Sequence, residues 1–485
     1  MTQSSSQSRA SRQYSHQYPP NPYRQSHPAP YYRVPAPSLV GTFCLLIGIS
    51  VAYGLYPSGE TPTDMARFTA ISTGIAFLLS VLVDSKKGLH NLLRTDLLCI
   101  FAIYGLTLAE FLFPQDDFNN RIDVEGITHA LNAVLLGMTG LTIGRHFVTN
   151  KLVRPGRLSL QDVSINTLFR VVVICALFGY LYMLISVHFN PVTLINQMLA
   201  PRFSQPWSRG RLGGWASLLT ELTLLSYAIP PIVGVIWNRR HHFPKAKMLI
   251  VLAIFALVIF QGFASGTRNI FITHIATFLM GYLITLPKNT FKNTVLPIIA
   301  TILISGFASY HMLEFREIGL RNYIAYQSYA SNKPRDTFAV DYNLASIAPL
   351  INTFPERHPF LGSEVLVWSL VRPIPRALWP GKPEGLTVSI EELAGADGWT
   401  VAATYLGESY MMAGWFGILG VSLFLGALAA WWNRMAIKAQ SDYTLVIYAL
   451  GFFAAGITMR SLFWLTTAIL PIIALMVFRK ARLVR

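Results

Sequence analysis

The densest group of side chains able to do chemistry lies between Phe354 and Tyr410. Arg372-Pro373-Ile374-Pro375-Arg376 is followed at once by Trp379-Pro380-Gly381-Lys382-Pro383. Four prolines so close together forbid a regular helix, because each lacks an N–H and fixes φ. The two guanidinium groups and the ammonium are therefore presented from a loop. Arginine offers a planar fork of donors that matches phosphate oxygens two at a time and stays charged at any working pH. Arg372 and Arg376 are thus suited to stabilising a phosphate-bearing leaving group, with Lys382 and Trp379 as contacts beside them. Trp379 would also serve as an ordinary interfacial aromatic.

More basic side chains stand in polar intervals beside Pro, Gly and Trp. Arg202, Arg209 and Arg211 lie in one such interval, and Arg316 and Arg321 in another. Arg268 sits in the short turn Ser265-Gly266-Thr267-Arg268-Asn269 between two apolar runs. Three residues are candidates for a general base: Glu408, His358 and Glu314, the last of which also reads as a structural ion-pair partner of Arg316 or Arg321. Glu408 stands at the entry to an apolar run, where partial desolvation suits a carboxylate to proton transfer, or where it simply complements a helix N-terminus. His358, between Arg357 and Pro359, titrates naturally near neutrality, and its plain alternative is a surface histidine. Cys44, Cys99 and Cys175 all fall in apolar runs and read as packing residues. No CxxC, HExxH, Walker loop or GxGxxG after a strand occurs, so metal and nucleotide chemistry lack sequence support. No cofactor is expected.

The elements that must carry these residues follow from composition. The chain has 485 residues, 53% hydrophobic and 13% charged. A soluble domain is about 25% charged, so the chain reads as an all-α polytopic membrane protein. Its net charge of +16 would suggest nucleic acid in a soluble protein. Here it fits basic cytoplasmic loops, and no nucleic-acid partner is expected. Runs of about 20 apolar residues predict about twelve transmembrane helices, from Pro37–Tyr56 to Leu462–Phe478. Residues 1–36 read as a disordered cytoplasmic tail, too poor in aliphatic side chains to order. Residues 37–312 hold spans one to nine, with an outer loop at 188–214. Residues 313–409 form a large extracytoplasmic loop between spans nine and ten, within which 362–371 is too short to cross. Residues 410–485 hold the last three spans. Every even-numbered exit is basic, which predicts cytoplasmic termini and places the arginine-bearing loops outside. Glu110, Glu221 and Arg460 are isolated charges near the outer ends of spans, where a polar cavity would account for them.

The chain resembles the Wzy-type polysaccharide polymerases, the oligosaccharide repeat unit polymerases of bacterial O-antigen and exopolysaccharide pathways. The features that carry the resemblance are the Ser265–Arg268 turn, the large outer loop with Pro373–Pro383, and Gly407-Glu408-Ser409-Tyr410 followed by Gly414-Trp415-Phe416-Gly417. It implies a GT-C-like fold in the bacterial inner membrane. It also implies transfer of a growing glycan from polyprenyl pyrophosphate to the non-reducing end of a lipid-linked repeat unit on the periplasmic face. Donor and acceptor would then be polyprenyl-pyrophosphate-linked oligosaccharides, with membrane lipid and a chain-length regulator as partners. Without a metal motif, arginines would stabilise the departing pyrophosphate. Two rivals share parts of the pattern: an O-antigen ligase, which uses a different acceptor, and a lipid-linked oligosaccharide flippase, which would show matched repeats between its halves.

Overall fold

A computed structural model of the protein describes residues 36–55, 60–148, 163–207, 216–330, 343–375, 378–383, 385–393, 402–436 and 441–480. They form helices joined by turns, with no strand among the described residues. The chain opens with α1 (Leu39–Leu55), α2 (Pro62–Ser85), α3 (Thr95–Thr107) and α4 (Val124–Gly144). Next come α5 (Ile165–Ser186), the short α6 (Pro191–Met198) and α7 (Ala216–Leu222), and α8 (Ile229–Asn238). A helical hairpin of α9 (Lys245–Ala264) and α10 (Arg268–Ile284) precedes α11 (Leu296–Ile318) and α12 (Leu320–Ala330). The large loop contains α13 (Ala348–Thr353), α14 (Ser363–Val371) and α15 (Ile390–Leu393). Helices α16 (Thr404–Ala436), α17 (Asp442–Arg460) and α18 (Leu465–Lys480) close the chain.

Nine helical segments among the described residues are long and apolar enough to cross a membrane. The protein is therefore an all-helical, multi-pass membrane protein. The shorter apolar helices α1, α3 and α10 occupy the first, third and eighth of the expected runs. Helix α3 stops at Thr107, where Leu108 leaves helical geometry and Ala109–Leu112 tighten into a 3-10 turn. In the sixth run, Thr223–Ala228 form a 3-10 segment just before Pro230 and Pro231. Those two prolines donate no N–H, so they suit the first turn of α8. Residues 1–35, most of the expected tail, lie outside the described residues.

Two large apolar cores, with smaller clusters beside them, hold the helices among the described residues. One joins α1, α3, α4, α13 and α16, and the other joins α5, α8, α9, α17 and α18. Inside a bilayer, lipid tails are as apolar as leucine, so close packing of small residues supplies much of the attraction. Helix α4 meets α16 through Gly137, Gly140 and Gly144. A methyl on Gly144 would meet the Leu423 carbonyl, and one on Gly140 would meet Ser422.

Helix α16 breaks at Ala413–Gly414, and the break docks the large loop. Gly414 has φ +62 and ψ −144, a region that side chains other than glycine enter at a cost. The break frees two carbonyls: Leu361 N donates to Met411 O at 2.9 Å and Gly362 N to Met412 O at 3.1 Å. Phe360 packs over Gly414, and Tyr410 Oη reaches Phe354 O at 3.3 Å. Gly414→Ala is accordingly expected to destabilise the protein by about 1–3 kcal/mol and to loosen residues 354–362. Faster protease cleavage within that stretch, with α16 itself intact, is the outcome to look for. An unchanged digestion pattern and melting temperature would show that the break does not hold the loop.

Candidate functional site

Arg372 caps the C-terminus of α14, a nine-residue helix too short to cross a membrane. Its position is held from both sides. Ser369 O accepts a hydrogen bond from Thr466 Oγ1 of α18. Lys382 returns across the proline-rich turn, and its Nζ donates to Arg372 O at 2.5 Å and Ile374 O at 2.9 Å. The Lys382 ammonium also lies 5.3 Å from the centre of the Trp368 ring. Glu364 ties the far end of the segment, accepting from Thr387 N at 2.6 Å. These bonds, all between described residues, fix the backbone that carries the half-buried Arg372 side chain.

The Cζ of the Arg372 guanidinium lies over Trp464, 4.1 Å from the ring centre. Cation–π stacking of this kind holds arginine while leaving its edge N–H groups for other partners. Trp464 belongs to the 3-10 turn Leu462–Trp464 between α17 and α18, and Glu408 fixes that turn. Ser461 Oγ donates to Glu408 Oε1 at 2.6 Å, and Leu462 N donates to Oε2 at 2.5 Å. Glu408 is only 4% exposed. It therefore acts as an N-terminal cap borrowed from a neighbouring helix, where a carboxylate meets unpaired amides. Glu221 of α7 lies within electrostatic reach of Arg372 and Lys382. Burial pushes the Arg372 guanidinium below its usual range, while the charges of Glu408 and Glu221 act against that shift.

The turn between α9 and α10 links this group to a second one. Asn269 lies against the guanidinium of Arg460 of α17, the residue next to Ser461. Three residues earlier, Gly266 has φ +63, and a methyl there would lie 2.8 Å from Arg316 Cα. Ser265 Oγ shapes the turn, donating to Gly262 O and accepting from Thr267 N. Arg268 is the first residue of α10 and half-buried. Arg316 and Arg202 both stand near Phe203, at 5.7 and 5.4 Å from its ring centre. Arg321 N closes this corner by donating to Leu199 O at 3.2 Å. A path thus runs from Arg372 through Trp464, Ser461 and Arg460 to Asn269, then along the α9–α10 turn to Gly266, which lies against Arg316, with Phe203 between Arg316 and Arg202.

A family model described as a domain of unknown function (DUF8712) matches residues 342–479. No curated protein and no solved structure matches the chain. The matched stretch holds Arg372, Lys382, Glu408 and Trp464, and it excludes Arg202, Arg268, Arg316 and Glu221.

Of the residues singled out by sequence, Arg372, Lys382 and Glu408 come together, and Arg202, Arg316 and Arg321 form the second corner, with Arg268 on the turn between them. His358 stands apart: its Nδ1 is 2.8 Å from Pro359 O, and its ring packs on Phe354. Trp379 is 40% exposed, and its amide closes a turn onto Pro375. Arg209, Arg211 and Arg376 lie outside the described residues. Among the described residues, no three His, Cys, Asp or Glu side chains gather as metal ligands would. Sequence reasoning passed over Trp464 and Ser461, which a run of apolar residues does not distinguish. It saw Glu221 only as an isolated charge.

Proposed function

We propose that this protein is a Wzy-type polysaccharide polymerase of GT-C-like fold. It would cross the bacterial inner membrane twelve times with both termini in the cytoplasm, and its arginine-bearing loops would face the periplasm. The observation that carries this reading is the path from Arg372 to Arg202. It gathers arginines from three separate polar intervals at one end of the helices, which suits a ligand carrying two phosphates. In this reading the donor glycan lies with its polyprenyl pyrophosphate against Arg372, and Arg268 extends that contact. Arg316 and Arg202 bind the glycan or its phosphate from the second corner. A stacked guanidinium pre-aimed at developing charge lowers the barrier without reorganising during the reaction. The same basic and isolated charges fit a polar cavity better than a lipid-facing surface.

The test is reconstitution of the purified protein with synthetic lipid-linked repeat units and gel analysis of the products. A ladder spaced by one repeat is the expected result, and Arg268→Ala is expected to lose it while inserting normally. Transfer of glycan only to a lipid A core acceptor would replace the polymerase with a ligase. No transfer to either acceptor would remove the glycosyltransferase reading.

A further inference from the structure

We propose that a cavity between the start of α4 and α13 binds an anionic sugar unit of the glycan, at a site separate from the Arg372 group. The choice of a sugar as ligand rests on the polymerase reading. The cavity has a volume of about 380 Å³, and Arg121, Asp123, Ala345, Pro349, Asn352 and Arg357 are among its walls. That size falls in the range of about 300–1,000 Å³ usual for small-ligand sites. Two arginines from segments far apart in the chain thus line one hollow, and their forks match carboxylate or phosphate oxygens two at a time. The other polar walls suit hydroxyl groups. Asn352 offers a donor and an acceptor from one amide, and His129 Nδ1 lies 3.4 Å from its Oδ1. Asp123 Oδ1 accepts from Gly126 N at 2.8 Å, which leaves Oδ2 as an acceptor. A sugar ring that carries a carboxylate or a phosphate needs both kinds of partner, whereas a lipid chain needs neither.

The walls are tied to the rest of the fold. Thr353 Oγ1 donates to Pro349 O at 2.8 Å, and Arg357 N donates to Thr353 O at 2.8 Å, so the turn that carries Arg357 is anchored on α13. Gly126 brings α4 close, since a methyl there would lie 3.3 Å from Ala348 Cβ. Ile127, Ile347, Leu350 and Ile351, from the same two elements, belong to the first large core. Helix α13 also links the cavity to the Arg372 group. Leu350 packs on Gly407, where a methyl would lie 2.8 Å from its Cδ1, and the next residue, Glu408, caps the turn that carries Trp464. A sugar unit held in the cavity therefore sits away from the reacting bond, where its charge serves to select the repeat unit.

The test is calorimetric titration of the full-length protein in lipid nanodiscs with a galacturonic acid disaccharide, a glucose phosphate and neutral maltose. At least one anionic probe is expected to bind about tenfold or more tighter than maltose, and the one that does names the anionic group. Arg357→Gln and Arg121→Gln should each weaken that binding about tenfold or more. Both arginines are exposed, so these variants should melt as the wild type does. Ala345→Trp, which fills the hollow from a partly exposed position, should abolish binding. Equal binding of maltose, no binding of either anionic probe, or unchanged affinity in Arg357→Gln overturns the proposal. So does binding that is lost in Arg372→Ala and kept in Arg357→Gln, because the anion would then sit at the other site. A reconstituted protein that makes polymer but binds no anionic sugar loses this inference and keeps the polymerase reading. One that binds the sugar but makes no polymer does the reverse.

Discussion

Arg372→Ala is expected to slow glycan extension about a hundred- to thousandfold, the usual loss when one preorganised donor is removed from such a site. In the proposed polymerase reading the effect should fall mainly on kcat, since the charge that Arg372 would meet is greatest as the glycosidic bond to pyrophosphate breaks. Arg372→Lys is expected to recover only part of the rate. Lysine keeps the charge but has no planar group to lie on Trp464, and it presents a point charge in place of a fork. Trp464→Leu should behave in the same direction, because it removes the surface 4.1 Å beneath the guanidinium. Expression and melting temperature should change little in all three, as the loop keeps its Lys382 and Glu364 bonds. Wild-type rates from Arg372→Ala would mean that the pyrophosphate is held elsewhere, and attention would move to Arg202 and Arg316.

The helices were legible because the bilayer demands long apolar runs, and those runs stand out from composition alone. The arginines were legible for a related reason: charge beside proline and glycine in an otherwise apolar chain is costly and calls for a partner. What could not be read was which charges meet. Glu408 looked like a base or an acid favoured by its own helix, yet it caps the start of a different pair, residues 461–462. Glu221 is more than a hundred positions from Arg372 in the chain, and no periodicity relates them. The break at Gly414 was visible as a glycine in a pattern but not as the feature that frees Met411 O and Met412 O. Helical period says which face a residue occupies; it does not say which helix lies against that face.

The opposite end of the helices makes the same point with larger energies. Arg94 and Arg145 read from sequence as two more basic residues of cytoplasmic loops, but both are completely buried with Asp84 and Asp96. Asp84 Oδ2 accepts from Arg94 Nη2 at 2.7 Å, and its Oδ1 accepts from Ser38 Oγ at 2.5 Å and Ser38 N at 3.0 Å. Arg94 Nε lies 3.3 Å from Asp96 Oδ1, and Arg145 Nη1 lies 3.8 Å from Asp96 Oδ2. Arg145 Nη2 donates to Thr42 Oγ1 at 2.5 Å. Asn433 of α16 donates to Asp96 and accepts from Thr95 N, and Tyr448 of α17 joins through Asn433 Oδ1 at 3.1 Å. Six helices therefore converge on a quartet that is neutral overall.

Removing one member leaves an uncompensated buried charge, which typically costs about 3–5 kcal/mol. Asp84→Ala is accordingly expected to destabilise the protein by about that amount, read from unfolding in mixed detergent or from thermal melting. Replacing Asp84 and Arg94 together by Leu and Met should cost less than Asp84→Ala alone. The double change removes a cation and an anion at once and leaves Asp96 paired with Arg145. This comparison isolates charge balance: if lost hydrogen bonds dominated instead of an unpaired charge, the double variant, which removes more of them, would be the less stable of the two. An Asp84→Ala protein within about 1 kcal/mol of wild type would show that water reaches the quartet and that the charges are screened. Because the quartet lies at the far end of the helices from Arg372, a folded double variant should, in the proposed polymerase reading, still extend glycan at close to the wild-type rate.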